Sequence, residues 1–557
     1  MKNLQVLLFA ILLCILCTSS IAQGWQWSTH FGGPGHDWGR IGAVDTAGNI
    51  YCYGNYALPG PGNYYNLIIG NDTLRGQEDS FIAKYSSSGS LLWVKNCVVN
   101  NGPMGIRGMT YDGIAGCLYV TGTTADSSNI GDCEFDSAGT VLARLDLNGA
   151  CTWSKVISGY GSTGLGLLVD PMGYLFITGS TPYSGPSSIE GQTITRGTFI
   201  AKYSSAGNQV WVKELVPEFS MGSIARFFPY QLKYHNGSIL VHGAAFQYSN
   251  TGPWQVDTVV ANVVVGGGHM LMNLDASNGV ARWVKPLGFS IVTQNTVLRQ
   301  LMDVDASGKI HCAGTVLGDS ARFGTDTTLN VPTGGNIAYL NSYSSNGTLE
   351  RLRTFYGGVA MESIVAEDDG SFLVSADFSN SGGSLGACTA TQQEQLLWLD
   401  SVGNCLAMSE IGDVFGLSLI KTSSGIYVGG SSSQSQQFGD FLFAGESYTS
   451  YGFNDIVLGK HDLRVGVSTM QGQGNEQLVI YANPNQGTFR IKVPDAFLHR
   501  SGLQLKVIDS AGRIVHDQTL NLQGESPRMD LFDVSPGYYL VTLGNSERTY
   551  SGHMVVE

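Results

Sequence analysis

Hydrophobic and polar positions alternate in short runs broken by Gly and Ser, with no helical period sustained over several turns after residue 22. The stretch Asp79–Lys95, D-S-F-I-A-K-Y-S-S-S-G-S-L-L-W-V-K, is the clearest case. Phe81 and Ala83 alternate with more polar neighbours, a Ser/Gly turn reverses the chain, and Leu92, Trp93 and Val94 run back, which predicts a β-hairpin. Gly197–Lys213 repeats it almost residue for residue. One hairpin cannot bury its own apolar face, so a recurring hairpin implies stacked copies.

Seven copies are legible, each in two halves. The first half, of the type V-D-x-x-G-N-I-Y-x-x-G, falls at Val44–Gly54, Tyr111–Gly122, Val169–Gly179, Tyr234–Gly243, Val304–Gly314, Ala366–Ala376 and Thr422–Gly430. The hairpin half falls at Asp79–Lys95, Gly139–Lys155, Gly197–Lys213, Gly268–Lys285, Gly335–Arg353, Glu394–Ala407 and Asn454–Asp462. The seventh copy stops one strand short, and Gly24-Trp25-Gln26-Trp27-Ser28 supplies the missing W-x-K-like strand. A ring closed by its own two ends leaves no sheet edge there. The fold expected is all-β: a seven-bladed β-propeller closed by the N-terminal strand, followed by a small C-terminal β-sandwich. The short turns, between first and second and between third and fourth strands, are alike in every copy. The long connections vary and emerge on one face of the disc, where binding residues are expected.

Composition narrows the setting. Abundant Gly (74), 10% aromatic and 13% charged residues fit an all-β chain with many tight turns. The net charge of −14 argues against nucleic acid or an anionic membrane surface as partner. Lys2, the apolar run Leu4–Leu16 and Ser20-Ile21-Ala22 read as a signal peptide over 1–22, cut between Ala22 and Gln23. No other window is apolar enough to be a transmembrane segment. Cys14 and Cys17 leave with the leader, and the eight that remain permit disulfides in an exported chain. Cys133 and Cys151 occupy places equivalent to Cys388 and Cys405, and no other copy has either, which favours two within-copy disulfides. The geometric difficulty is that each pair sits at opposite ends of a strand unless the intervening loop folds back. Cys97–Cys133 with Cys117–Cys151 is the alternative. Cys52 and Cys312 replace Val or Ile on strands and read as buried thiols.

Phe31–Gly39 (F-G-G-P-G-H-D-W-G), Asp45–Tyr51 and the F-I-A-K-Y…G…W-V-K hairpins together resemble the bacterial secreted β-propeller repeat over about residues 25–462. That resemblance implies an exported propeller, residues 23–465, and no single activity. A polar linker, 466–477, follows. From 478 to 557 the chain resembles the type A C-terminal sorting domain of Bacteroidetes type IX secretion cargo. The residues that carry it are Val479–Phe489 with Asn483, Pro484 and Gly487, Leu505–Val515 with Gly512, and Asp533–Val541 with Gly537. The resemblance implies a β-sandwich that engages the type IX secretion machinery, and a protein that is secreted or anchored at the outer cell surface.

Candidate chemistry is sparse. Gly382–Gly386 matches G-x-S-x-G around Ser384 but has no helix after it, and Gly159–Gly164 matches G-x-G-x-x-G but precedes a strand; both read as turns. Asp45, Asp170 and Asp305 each stand before a Gly turn and read as turn caps. No metal or other cofactor is expected, structural calcium being the one considered. The variable face carries Trp38, Tyr64, Tyr65, Phe228 and Trp254, with Tyr183, Phe227, Tyr248, Tyr448 and Tyr451; exposed aromatics stack on sugar rings or anchor proteins. The strand tryptophans 27, 93, 153, 211 and 283 are expected in the core. The reading favoured is a non-catalytic module that binds glycan or surface protein. The alternatives are a propeller hydrolase or lyase with its site at the central opening, and a structural or gliding-associated surface protein.

Overall fold

The computed structural model describes residues 24–462 and 478–556 apart from short internal stretches, the longest being 59–65, 99–104, 216–224, 248–253, 291–301 and 521–526. The expected leader, with Ala22 and Gln23, and the linker lie outside the described residues. The chain divides into two compact units, a larger one running to His461 and a smaller one beginning at Asp462.

The larger unit is built from seven four-stranded antiparallel meanders. Their first strands are His36–Val44, Ile106–Asp112, Thr163–Val169, Ala225–His235, Met302–Val304, Ala360–Ala366 and Val414–Thr422. Each first strand lies against the next in chain order, and Val414–Thr422 lies against His36–Val44. The fourth strand of the last meander is Trp25–Phe31, which pairs antiparallel with Ile456–His461 in the register Trp27↔Lys460 to Phe31↔Ile456. The apolar cores lie between meanders. Ile50, Cys52 and Phe81 of the first pack on Tyr427, Ile456 and Leu458 of the seventh. Tyr51 and Ile82, on the opposite faces of the same strands, pack on Leu118, Val120 and Val141 of the second. The period-2 alternation read in the sequence therefore serves two neighbours at once.

Side chains on the inner strands also tie consecutive meanders. Tyr53 Oη donates to Arg107 O at 2.9 Å, Thr178 Oγ1 to Pro229 O at 2.8 Å and Gln231 Nε2 to Met302 O at 2.6 Å. Backbone N–H groups of Met361, Leu417 and Ile41 donate across the next three junctions to Thr315 Oγ1, Glu362 Oε2 and Ser418 Oγ. Each such bond is worth about 1 kcal/mol, and each satisfies a buried polar group.

Of the strand tryptophans, Trp283 lies in a core cluster at 9% exposure, as expected; Trp27, Trp93, Trp153 and Trp211 are partly buried, packed against the core, and serve as clamps between meanders. Trp27 Nε1 donates to Ser87 O at 3.0 Å, Trp93 to Leu147 O at 3.3 Å, Trp153 to Ser205 O at 3.3 Å and Trp283 to Ser345 O at 3.0 Å. Every acceptor lies in the last turn of the next meander. The ring rests on that turn's glycine: at Gly89, with φ +84°, an added Cβ would lie 2.7 Å from the Trp27 ring. Glycine thus supplies both the left-handed turn and the flat seat. In the fifth meander, which lost its Trp, Arg353 Nη1 donates to Val402 O at 2.9 Å in the same role.

The long connections between second and third strands are a second correction. They do not simply form loops on one face. They contain β-hairpins, and these hairpins extend the outer sheet edge of the preceding meander. Ile189 pairs with Ser158, Arg322 with Phe289, Phe443 with Gly412, and Ile68 with Gly32 just after the N-terminal strand. In the second meander Asn129 N donates to Val98 O at 3.0 Å. Outer edges that would otherwise present free N–H and C=O groups are partly covered.

The same fold-back removes the geometric objection to the disulfides. The hairpin containing Cys133–Phe135 brings Cys133 onto Cys151, with Cα atoms 5.1 Å apart. Cys388 and Cys405 are likewise bonded at 5.8 Å. Cys52, Cys97, Cys117 and Cys312 are buried free thiols.

The smaller unit has a three-stranded sheet (Val479–Tyr481, Thr488–Lys492, Arg528–Asp530) and a four-stranded sheet (Leu503–Asp509, Ile514–Leu520, Gly537–Gly544, Thr549–Val556). Phe489, Ile491 and Met529 of the first share one core with Leu505, Val541 and Met554 of the second. Gly487 adopts φ +85° and Gly537 opens a strand; Asn483, Pro484 and Gly512 lie outside the described residues.

Two outcomes test this architecture. Trp27→Ala should destabilise the full chain by about 2 kcal/mol, less than the ~3–5 kcal/mol for a fully buried ring. Trp93→Ala should cost about the same in denaturant titration, whereas a neutral Trp27→Ala would remove the N-terminal strand from its place. Non-reducing peptide mapping should find Cys133 joined to Cys151 and Cys388 to Cys405. Cys133→Ser with Cys151→Ser should cost about 3 kcal/mol, as expected for a loop of this length.

Candidate functional site

The inner strands carry the unusual side chains. Along His36–Val44 the odd positions Asp37, Gly39 and Ile41 are buried, while Trp38 is 52% exposed and Arg40 half-buried on the alternate face. Trp38 meets Phe415 of the seventh meander edge-on, with ring centroids 5.5 Å apart.

Bulges interrupt the first strands at corresponding places. Register shifts fall between Ile106 and Gly108, Gly164 and Leu167, Pro229 and Gln231, Met361 and Ser363, and Phe415 and Ser418. A bulge re-aims the extra side chain out of the ladder. Here the extra residues include Arg107, Tyr230 and Glu362. The carbonyl of Arg107 is held by Tyr53 Oη, yet its Nε is buried with no hydrogen-bond partner. Burial pulls the Arg107 pKa down; Tyr53 and Tyr230 oppose that, and the nearby charge of Arg40 adds to it. Tyr230 stacks on Phe228, centroids 6.4 Å apart and planes 7° from parallel. At Gly166 the third meander approaches the fourth so closely that an added Cβ would lie 3.1 Å from Tyr230 O. The result is a cationic and aromatic cluster on inner strands of an acidic protein.

The other aromatic candidates divide. Phe227 is fully buried. Tyr448 serves the N-terminal strand, its hydroxyl 2.6 Å from Ser28 Oγ and its ring 4.6 Å from that of His30. Tyr451 stacks on His30 and is 38% exposed. Tyr64, Tyr65, Tyr183, Tyr248 and the side chain of Trp254 lie outside the described residues, although Trp254–Val256 is a strand. Arg40, Arg107 and Tyr230 were missed in the sequence. The available signal was three arginines, Arg40, Arg107 and Arg226, on first strands of a chain with only 30 Lys and Arg.

The motif matches resolve into turns and strands. Ser384–Leu385 is a short strand paired with Cys388–Thr389, with no elbow into a helix. Thr163–Val169 follows the glycine run at 159–164 as a strand. Asp45, Asp170 and Asp305 accept backbone N–H bonds two and four residues ahead through Oδ1. Among the described residues, no cluster of three His, Cys, Asp or Glu side chains is placed to hold a metal ion.

Two buried titrating sites oppose each other. His242 and His269 stack with centroids 5.0 Å apart, planes 6° from parallel, and three of their ring nitrogens unpartnered. Burial lowers both, His269 to about 4. Asp455, fully buried, is raised by burial to about 7 despite accepting from Tyr451 N. Burial also lowers His30, so their 3.6 Å contact is not a full ion pair at neutral pH.

Comparison with known proteins bears on the smaller unit. Residues 479–557 match the family described as secretion system C-terminal sorting domain. The C-terminal unit is a type IX sorting domain. A sorting domain of this kind engages the secretion machinery and marks a secreted, cell-surface protein. No helix among the described residues is long and apolar enough to cross a membrane. No curated protein matches the sequence. Among solved structures, the chain is similar to the quinohemoprotein alcohol dehydrogenase ADHIIG from Pseudomonas putida HK5, at 10% identity and TM-score 0.37, over 83% of this chain and 79% of that one. It is similar to the polysaccharide lyase PL25 ulvan lyase at 10% identity and TM-score 0.42, over 79% and 96%. A europium-containing methanol dehydrogenase matches at 11% identity and TM-score 0.35, over 73% and 84%. Likeness at this level carries no argument about chemistry.

The buried titrating groups set a pH test. The histidines bind protons more weakly folded than unfolded (6.5), so their contribution is present above about 6.5 and lost as pH falls towards 4. Asp455 binds its proton more tightly folded than unfolded (3.8), so its contribution is present below about 4 and lost as pH rises through 7. The melting temperature of His242→Leu relative to the parent should therefore rise as pH falls from 6.5 to 4. That of Asp455→Asn should rise, relative to the parent, as pH increases from 4 to 7. Thermal unfolding across that range checks both signs.

Proposed function

We propose that the mature protein is a seven-bladed β-propeller displayed at or released from the cell surface, and that it is a non-catalytic binding module for glycan or protein. The cyclic succession of first strands and the pairing of Trp25–Phe31 with Ile456–His461 support the closed ring. The two sheets around one core support a sandwich for the sorting domain. The ligand site is the mouth of the inner strands. The observation that carries it is Trp38, a large ring left half-exposed beside Phe415 and on the same strand face as Arg40, since exposed apolar rings are costly unless used. An aromatic face of this kind stacks on a pyranose ring, which favours glycan over protein. The inner-strand hydrogen bonds hold the rim in one geometry before any ligand arrives, lowering the entropy lost on binding. The resemblance to Bacteroidetes cargo adds a cleaved signal peptide, a leader at 1–22, and the linker at 466–477 as the place where the sorting domain is removed. No cofactor is assigned to the site.

Two measurements test this reading. Terminal sequencing and intact mass of the protein from culture supernatant and washed cells should give a start at Gln23 and an end near residues 470–475. A full-length chain retained inside the cell would overturn export. Carbohydrate-array binding by the secreted protein should weaken in Trp38→Ala with unfolding unchanged. Equal binding by both proteins would move the site elsewhere.

A further inference from the structure

We infer that the glycan taken at the mouth of the inner strands is anionic, bearing uronate carboxylates or sulfate esters, with Arg107 and Arg40 pairing its charge and Trp38 stacking on its ring. This rests on the binding reading above and names the ligand's chemistry.

A guanidinium with a buried, unpartnered nitrogen is expensive unless an anion or another acceptor compensates it. Arg107 lies in a bulge of its strand, and its Nε has no partner in the folded chain. Arg40, on the neighbouring first strand, brings a second positive charge close enough to act on the first. Like charges brought together inside a protein are costly, and a bound anion relieves the cost. Tyr53 does not supply it: its hydroxyl is spent on the Arg107 carbonyl, and burial holds it in its neutral form.

Charge elsewhere sharpens the assignment. The protein carries a net charge of −14, so its surface as a whole repels polyanions. Among the described residues, two first-strand lysines already face carboxylates: Lys233 meets Asp303 at 2.7 Å, and Lys421 meets Glu367. A flat guanidinium matches carboxylate or sulfate in a bidentate geometry, which a lysine does not. Trp38 and Arg40 lie two residues apart on one strand face, roughly 7 Å along the chain, a spacing comparable to a sugar ring and its charged substituent.

The test uses the full secreted protein and titration calorimetry with polygalacturonate, dextran sulfate and neutral dextran. Binding is expected to one or both polyanions and not to dextran, and should weaken with added salt. Which polyanion binds distinguishes carboxylate from sulfate. Arg107→Gln should lose at least about tenfold in affinity, and Arg107→Lys an intermediate amount. If Arg107→Gln does not fold, Arg107→Lys and Trp38→Ala carry the test. Equal binding of dextran and polyanions would overturn the anionic assignment and leave the glycan module standing. Polyanion binding unchanged in Arg107→Gln or Arg107→Lys would overturn the site. Polyglutamate binding as tightly as the polysaccharides would replace the sugar by an acidic protein. No saccharide binding at all would remove both this inference and the module it rests on.

Discussion

The larger unit depends on one contact made again and again: an outer-strand indole resting on the glycine of the next meander's last turn and donating to that turn's carbonyl. A meander of four strands cannot bury both its faces, so its stability is held jointly with its neighbours. The Trp–Gly seat fixes the outer side of five junctions and Arg353 that of a sixth, and the bonds from Tyr53, Thr178 and Gln231 fix the inner side of three. Trp27 is the member that matters most. It comes from the opposite end of the chain, and its ring sits on Gly89 as Trp93 sits on Gly149. Through that strand the N-terminal segment completes the last meander, pairing with Ile456–His461.

Departures from the repeat mark where the chain does something other than hold itself together. The fifth meander replaces indole by guanidinium at Arg353 without losing the bond to the next turn, so the clamp is a geometry more than a residue type. The fourth meander buries the His242–His269 stack with ring nitrogens unsatisfied, a local weakness that acid exposes. The inner-strand bulges hold Arg107, Tyr230 and Glu362 off the ladder. Glu362 is used across a junction; Arg107 offers an unpartnered nitrogen, and recognition of an anion would use it.

The sorting domain carries its own hydrophobic core of Phe489, Ile491, Leu505 and Val541 and needs nothing from the meanders to bury it. The disulfides suit the same destination, since Cys133–Cys151 and Cys388–Cys405 are stable only where the surroundings are oxidising.

The sequence by itself determined the strands, the turns, the sevenfold count of hairpin copies, the pairing of the two chain ends and the sorting domain. Each is written locally: period-2 alternation, Asp-x-x-Gly turns, a W-x-K strand missing at one end and present at the other. Cys133 and Cys151 were legible as a pair because copies can be compared position by position, even while the strand geometry argued against it. Only the tertiary structure decided where the second-to-third connections go. Their folding back as hairpins is chosen by free hydrogen-bonding groups on a neighbouring edge, which no local pattern encodes. It also decided that the tryptophans are clamps, since what a ring rests on belongs to another copy. The cluster of Arg40, Arg107 and Tyr230 comes from three different meanders, and two of its members from bulges one residue long. It exists because adjacent strands bring distant residues to one rim, and that proximity has no trace in the order of the chain.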